Sequence, residues 1–356
     1  MKAKLVFVII AIIAILVVIA TVITVHIIKD NTIETNIDLS NVPPALNPET
    51  KEFIIKAGVN LPGLEGDGYF YRMGLKYLTK KSTYTNIIEK GFDHIRVPID
   101  FRLFYDEETN TLIEDKIKDY DTILDLAEAN GLYVIIDFHG WYDIYPSSKI
   151  DVELFVNIWT QVAERYKDRS NYVIFELMNE PSGKTAGPAR LNMLQKKAIE
   201  AIRVSNPDRL IICAAPDGNQ TWLLGELSIP EDDNNLAVAV HIYNPGDFTH
   251  QGYEWAGKEK DKQVRLTDEY YEELVWNINE TKKFMDNTGI PVMLNEFGMN
   301  IEISDKEDQK KYLGTLVEFC EEYGVPWTFW RYNWEQMGLY YNGKWNDYVV
   351  DILFGR

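Results

Sequence analysis

Positive charge, cysteine and short metal-binding spacings are what this chain has least of. Its 356 residues carry 36 Lys and Arg against 55 Asp and Glu, for a net charge of −19 and a pI near 4.7. That balance repels phosphate backbones and anionic lipid surfaces, which argues against nucleic acid or a charged membrane face as partner. Only two cysteines occur. Cys213 sits in the apolar run LIICAAP and Cys320 on the apolar face of a helical stretch, so both read as buried small hydrophobes. They offer neither a metal spacing nor a disulfide framework. The histidines lack the HxH or HExxH spacing that usually builds a metal-dependent hydrolase. No glycine-rich phosphate loop follows the first apolar run, which counts against a nucleotide-binding open sheet. Internal repeats and low-complexity tracts are absent as well.

What is present is apolar and aromatic. Hydrophobic residues make up 46% of the chain, enough for a globular core, and the length fits one large domain with little left over. The 9 Trp and 21 Tyr suit a neutral polyol ligand, because sugars stack their C–H faces on aromatic rings, although most of these side chains are expected in the core. Leu5 to Ile28 is almost entirely aliphatic and is flanked by Lys2, Lys4 and Lys29. It is long enough to cross a bilayer core of about 30 Å. Residues 1–29 are therefore read as an uncleaved transmembrane signal anchor, with secretion after cleavage as the alternative. Either way the remainder lies on the extracellular side. Residues 30–51, with Pro43, Pro44 and Pro48, read as an extended linker, and residues 52–356 as the catalytic domain.

From Glu52 onward short apolar runs alternate with amphipathic helical stretches. The runs are FIIKAGVN, HIRVPID, LYVIIDFHG, YVIFELMNEP, LIICAAP, LAVAVHIYNP, PVMLNEFG and VPWTFWRY. Eight such units predict an α/β chain folded as a (β/α)8 TIM barrel, with a doubly wound open sheet as the alternative. In a barrel the strand C-termini converge on one mouth. There strand two offers Arg96, strand three Asp137 and His139, and strand four Asn179 and Glu180. Strand six offers His241 and Tyr243, strand seven Glu296 and strand eight Trp330. Each has a plain structural reading: Arg96 could pair with Asp93 or Asp100, the histidines could be core residues, and Trp330 could plug the barrel. Taken together, two glutamates on two matching strand ends suggest acid/base and nucleophilic work on an acetal.

The set resembles glycoside hydrolase family 5, in the clan of retaining (β/α)8 glycosidases. The signature of that family is matched by Arg96, His139, Asn179-Glu180-Pro181, His241-Ile242-Tyr243, Glu296 and Trp330, from about Phe53 to the C-terminus. The stretch YNPGDFTHQGYEW, Tyr243 to Trp255, is similar to thermophilic endo-β-1,4-glucanases of the family. The residue after the strand-eight Trp, often Glu in relatives, is Arg331 here, and the loop GWYDIYPSSK after His139 is also particular to this chain.

The resemblance implies double displacement. Glu296, held ionised by Arg96 and Tyr243, attacks the anomeric carbon, while Glu180 protonates the leaving oxygen and then activates water. The charge on Glu296 is expected to keep Glu180 protonated. Asn179 would bond the 2-hydroxyl, His139 and His241 would orient these groups, and Trp330 would stack beneath the sugar. Trp141, Trp222, Trp255 and Trp334 are candidates for extending the cleft. No metal or other cofactor is expected, and the partner is a β-linked polysaccharide met by a monomer. Cellulose-type β-1,4-glucan is the first substrate and β-1,4-mannan the alternative. A metal-dependent barrel hydrolase using Asp137, His139, His241 and Glu296, and a non-catalytic carbohydrate-binding barrel, remain as other classes.

Overall fold

A computed structural model describes residues 37–66, 68–140, 152–182, 187–260, 262–333 and 336–356. Eight strands close into an all-parallel barrel: β1 (Ala57–Asn60), β2 (His94–Ile99), β3 (Tyr133–Phe138), β4 (Val173–Glu176), β5 (Ile211–Ala214), β6 (Leu236–Ile242), β7 (Val292–Phe297) and β8 (Trp327–Phe329). Each pairs with its sequence neighbours, and β8 returns to β1 with Ala57 opposite Trp327. The outer ring holds α1 (Gly68–Leu78), α2 (Lys81–Lys90), α3 (Glu114–Ala129), α4 (Val152–Tyr166), α5 (Pro188–Arg203), α6 (Asp268–Thr288), α7 (Lys306–Tyr323) and α8 (Asp347–Leu353). Between β5 and β6 only short helical turns occur, Thr221–Glu226 the longer of them. The barrel expectation holds, and the open sheet does not. Caps set the long helices. Asp305 accepts from the Glu307 and Asp308 N–H groups at the start of α7, and Gly324 ends it in the left-handed conformation at φ +66°.

Strand alternation divides the core into two. Ile95, Val97 and Ile99 of β2, Val134, Ile136 and Phe138 of β3, and Val238, Val240 and Ile242 of β6 pack outward against the helices. Ile135, Ile174, Ile212, Ala237, Ala239 and Met293 pack inside the barrel. The same period of two carries Arg96, Asp137 and His241 to the inner side, Arg96 level with Ile135 and the other two lying two residues beyond Ile135 and Ala239, toward the mouth. Strand β7 breaks the period. Leu294 pairs with Val240 and Phe297 with Ile242, leaving three steps on β7 against two on β6, and β8 shows the same mismatch. This bulge lets two consecutive residues, Asn295 and Glu296, both face inward.

The expected linker is not extended over its second half. Val42, Ala45 and Leu46 are buried with Ile55 and the inner cluster, and Leu46 bridges antiparallel to Phe53. Tyr133 donates to the Pro43 carbonyl at 2.8 Å and Asn171 to that of Val42 at 2.8 Å. The physical reason is that an eight-stranded barrel has an open floor, and this arm supplies the apolar side chains that cover it. The unit that holds the barrel therefore runs from Asp38 to Arg356 and takes in residues 38–51 of the expected linker. The anchor reading, residues 1–29, lies outside the described residues. Among the described residues no helix is long and apolar enough to cross a membrane. Cys213 and Cys320 are both buried and unbridged.

The floor arm makes a truncation test. Starting the chain at Asp38 should leave the melting temperature of the catalytic unit unchanged. Starting it at Pro48 removes three buried apolar side chains, worth about 2–5 kcal/mol together, and should lower Tm by about 5 °C or more. Differential scanning fluorimetry on the two truncations reads the difference.

Candidate active site

At the centre of the mouth is a guanidinium with no access to solvent. Arg96 Nε and Nη2 donate to the two oxygens of Glu176 at 2.7 and 3.0 Å. Nη1 donates to Asn60 Oδ1 at 2.9 Å and to Glu296 Oε1 at 2.6 Å. Nη2 also meets Asn179 Oδ1 at 2.8 Å and Asp137 Oδ2 at 2.9 Å. Burial opposes the charge of Arg96, but Asp137, Glu176 and Glu296 outweigh it and hold the guanidinium protonated. The plain alternatives for Arg96 fall away: Asp93 engages His94 at 2.6 Å, and Asp100 binds Arg102.

Glu296 is held from the other side by the Tyr243 hydroxyl, which donates to Oε2 at 3.1 Å. Burial first, then the charges of Glu296 and Glu180, push the Tyr243 hydroxyl well above its usual pKa, so it stays a donor. His241 Nδ1 lies 2.8 Å from Glu180 Oε1 and 3.7 Å from Glu296 Oε2. One oxygen of each glutamate and this nitrogen all lie within 4.8 Å of one another. Burial pulls His241 down to about 4, so the ring is neutral. Asn219 Nδ2 donates to its Nε2 at 3.0 Å, an assignment made from the hydrogen-bond network, which leaves Nδ1 as the N–H facing Glu180. Asp137 Oδ2 lies 2.6 Å from His139 Nδ1, and His139 stacks on Trp330 at 5.7 Å and 10°.

Glu180 departs from ordinary backbone. Its φ is +35°, a region that non-glycine residues rarely occupy. The left-handed turn lets Asn179 and Glu180, which are adjacent, both present their side chains to the mouth. About 35% of the Glu180 side chain reaches the cleft, yet the enclosing protein raises its pKa, with His139 and Arg96 opposing and Asp137 assisting. The expected cause, the charge of Glu296, is thus replaced by burial. Glu176, in the same fold, is raised to about 7, again by burial before Asp137 and Glu296 and against Arg96.

These residues open into a cleft of about 390 Å3 lined by His139, Asn179, Glu180, Tyr243, His250, Tyr253, Trp255, Glu296, Trp330, Arg331 and Met337. A larger hollow of about 1240 Å3, between Asn192–Arg203 and Ser228–Asn235, holds no comparable pairing of acid and nucleophile. Gly298 keeps the wall close: a Cβ there would stand 2.4 Å from the Trp330 carbonyl oxygen. Of the cleft aromatics expected from sequence, Trp255 lines the cleft and is 73% exposed. Trp222 stands exposed on Thr221–Glu226, away from the lining. Trp141 and Trp334 lie outside the described residues. Sequence reading missed Asn60, Glu176, Asn219 and Asn295. Asn60 and Glu176 carried a signal, each a polar residue closing an apolar strand.

The comparisons with known proteins agree with this geometry. The family model Cellulase (glycosyl hydrolase family 5) matches residues 47–336. This chain belongs to glycosyl hydrolase family 5. Cellodextrinase A of Ruminococcus flavefaciens is 27% identical over 76% of the chain and 83% of its own length. Endoglucanase A of Ruminococcus albus is 28% identical over 85% and 89%. Among solved structures, Thermotoga maritima Cel5A with cellobiose superposes at a TM-score of 0.76, with 28% identity over 84% of this chain and 97% of that one. The same protein with mannotriose gives 0.75 and 26%, over 84% and 97%.

The raised pKa of Glu180 is also a statement about stability. A carboxyl raised by folding contributes stability that is full below its unfolded value and is lost as pH rises through its folded value. Glu180→Gln carries no such loss. Its Tm should match wild type near pH 4 and exceed it progressively toward pH 8, which a pH series of thermal melts measures.

Proposed function

We propose that this family 5 enzyme is a retaining, endo-acting β-1,4-glucanase, with Glu296 as nucleophile and Glu180 as acid/base. The observation that carries the reading is the pair of glutamates facing one His241 nitrogen, their nearest oxygens within 4.8 Å. That spacing leaves no room for a water between carboxylate and sugar, which favours double displacement over inversion. Arg96 and Tyr243 hold both oxygens of Glu296, fixing one carboxylate toward the anomeric carbon. Burial gives Glu180 the proton that the leaving oxygen needs. In the first step the Glu296 oxygen bonds the anomeric carbon as the glycosidic C–O bond breaks and the Glu180 proton passes to the departing hydroxyl. In the second step Glu180 takes a proton from water, whose oxygen displaces Glu296.

His241, neutral with its N–H toward Glu180, orients that carboxyl through both steps. Asn179, its Oδ1 fixed by Arg96, presents its amide where the 2-hydroxyl of the sugar would lie. Trp330 and Trp255 offer faces for sugar rings. The cleft is open at the surface, which suits attack within a chain. Glucan is the first substrate, with mannan second on the same scaffold. A purely binding barrel is disfavoured, since it needs neither a protonated nor a clamped carboxyl. The metal reading is disfavoured because Asp137 and Glu296 take different nitrogens of Arg96, so a cation shared by them would stand against a fixed positive charge. We further propose that the catalytic unit is displayed outside the cell by the apolar run of residues 5–28; an intact N-terminus recovered with membranes supports this, and a mature start near Thr21 refutes it.

Two measurements test the mechanism. Glu296→Ala should lose about 10⁴-fold or more in kcat, with azide restoring part of it as product of inverted configuration. Glu180→Ala should keep the first step on aryl glycosides with good leaving groups, and glycosyl-enzyme should accumulate. Wild-type product of inverted configuration would overturn double displacement. Prolonged chelation should leave the rate unchanged; loss restored by zinc or manganese would favour Glu180, His241 and Glu296 as metal ligands. On soluble β-1,4-glucan, viscosity should fall well before reducing ends accumulate, and early release of only disaccharide would refute endo attack.

A further inference from the structure

We propose that Asn219 is a positioning residue that keeps a second proton off His241, an inference that rests on the glycosidase reading for the role of Glu180. Asn219 is fully buried, and its Nδ2 stands 3.0 Å from His241 Nε2. It closes a run of three left-handed residues after β5, with Asp217 at φ +55°, Gly218 at +78° and Asn219 at +59°. Residues other than glycine rarely take that conformation, and two of these three do. The turn braces the acid/base from two sides. The Gly218 N–H donates to the Pro181 carbonyl at 2.9 Å, directly after Glu180. Asn219 reaches the far nitrogen of the imidazole that Glu180 touches.

The direction of the Asn219 amide follows from what lies across the ring. His241 Nδ1 is 2.8 Å from Glu180 Oε1 and 3.7 Å from Glu296 Oε2. That nitrogen carries the ring proton, because a lone pair there would face the ionised Glu296. Nε2 is then a bare acceptor, and Asn219 meets it with an N–H. Turning the amide over would set its carbonyl against that lone pair. It would also bury the NH2 group without an acceptor, since Asn219 Oδ1 has no partner among the described residues. Burial is the largest influence holding the ring neutral, with Arg96 on β2 and His139 beyond β3 assisting, and Glu296 on β7 and Asp137 on β3 opposing. Glu180, beyond β4, also opposes when ionised, and Tyr243 on the ring's own strand is kept a neutral phenol by burial. Burial acts on the whole ring, whereas Asn219 occupies the one atom where the second proton would land. Protonation there would force two N–H donors together. Beside an imidazolium Glu180 would be held ionised, and the leaving oxygen would lose its acid.

Asn219→Asp tests this, because Asp tolerates the same left-handed backbone and exchanges the donor for an anionic acceptor. His241 should then hold both protons. On cello-oligosaccharides, whose leaving group needs a proton, kcat/KM near pH 7 should fall about tenfold or more. Its alkaline limb should move toward acid by about one pH unit or more. Aryl glycosides with good leaving groups should keep their rates, since Glu180 remains an ionised base. A role confined to packing would lower both substrates together and leave the limb in place, which overturns the inference. Spectra of ring-15N histidine in the full chain supply an arm that needs no turnover, with His241 assigned by its loss in His241→Gln. Near pH 6 wild type should show a protonated Nδ1 and a bare Nε2, and Asn219→Asp two protonated nitrogens. An imidazolium or a protonated Nε2 in wild type would overturn the inference even if the variant does not fold, as would a neutral ring in a folded Asn219→Asp. The expected spectra from a wild type that cleaves no β-glucan would refute the glycosidase reading and leave the guarding of His241 standing.

Discussion

The structure depends on one buried positive charge. Arg96 is fully enclosed and touches Glu176, Asp137 and Glu296, with Asn60 and Asn179 on its remaining donors. Such a cluster is costly to desolvate, and breaking one partner leaves an uncompensated charge. Three carboxylates around one cation also leave an excess of negative charge. The neighbouring His139, raised by Asp137 despite burial, and Glu176, raised to about 7, are where protons can offset it. The bidentate grip of Glu176 fixes the plane of the guanidinium. That plane decides which oxygen of Glu296 is held, and so which way the other can point.

The two glutamates owe their different chemistry to what surrounds each of them. Glu296 is 4% exposed and has a fixed cation and a phenol as partners. Glu180 is turned outward, farther from Arg96, with a neutral imidazole as its hydrogen-bond partner. Neutral His241 is what makes the arrangement work. A charged imidazole between the two carboxylates would stabilise both as anions and remove the acid. Its low pKa follows from burial inside the barrel, so the fold itself sets the protonation of the site.

Much of this was legible in the sequence because barrel strands alternate. Arg96, Asp137 and His241 follow inner residues by even steps, and the apolar runs ended in polar groups where the mouth would be. The barrel and the inward facing of Arg96, His139, His241, Tyr243 and Trp330 follow from that rule, while Asn179, Glu180 and Glu296 were legible as polar ends of apolar runs. What alternation could not reveal was its own exceptions. Asn295 keeps the inner period of Met293 and donates to Glu176 at 2.7 Å, and it is the bulge in β7 that turns its neighbour Glu296 inward as well. Asn219 lies in a turn after β5, where no period applies. The arm from Asp38 was hidden for another reason. Its prolines and polar residues mask three apolar side chains whose burial exists only once the barrel has a floor to close.

The exceptions share a purpose. A strand can deliver one side chain to the mouth at each second residue, about 7 Å apart along its axis. Catalysis on one sugar needs groups closer than that. On β7 the chain solves this with an extra residue, so that Asn295 steadies Glu176 while its neighbour Glu296 is held by Arg96. At the end of β4 it uses a left-handed turn at Glu180, so that Asn179 binds Arg96 while Glu180 reaches His241. In each case the inner neighbour is tied to the ion cluster and the outer one carries the carboxyl. A non-glycine residue at positive φ costs about 1 kcal/mol or more, and the bulge gives up ladder hydrogen bonds. Both costs fall where strand geometry alone would have placed the two carboxyl groups on different faces. The rigid hydrogen-bonded neighbours, Asn179 and Asn295, are what keep those local distortions from relaxing.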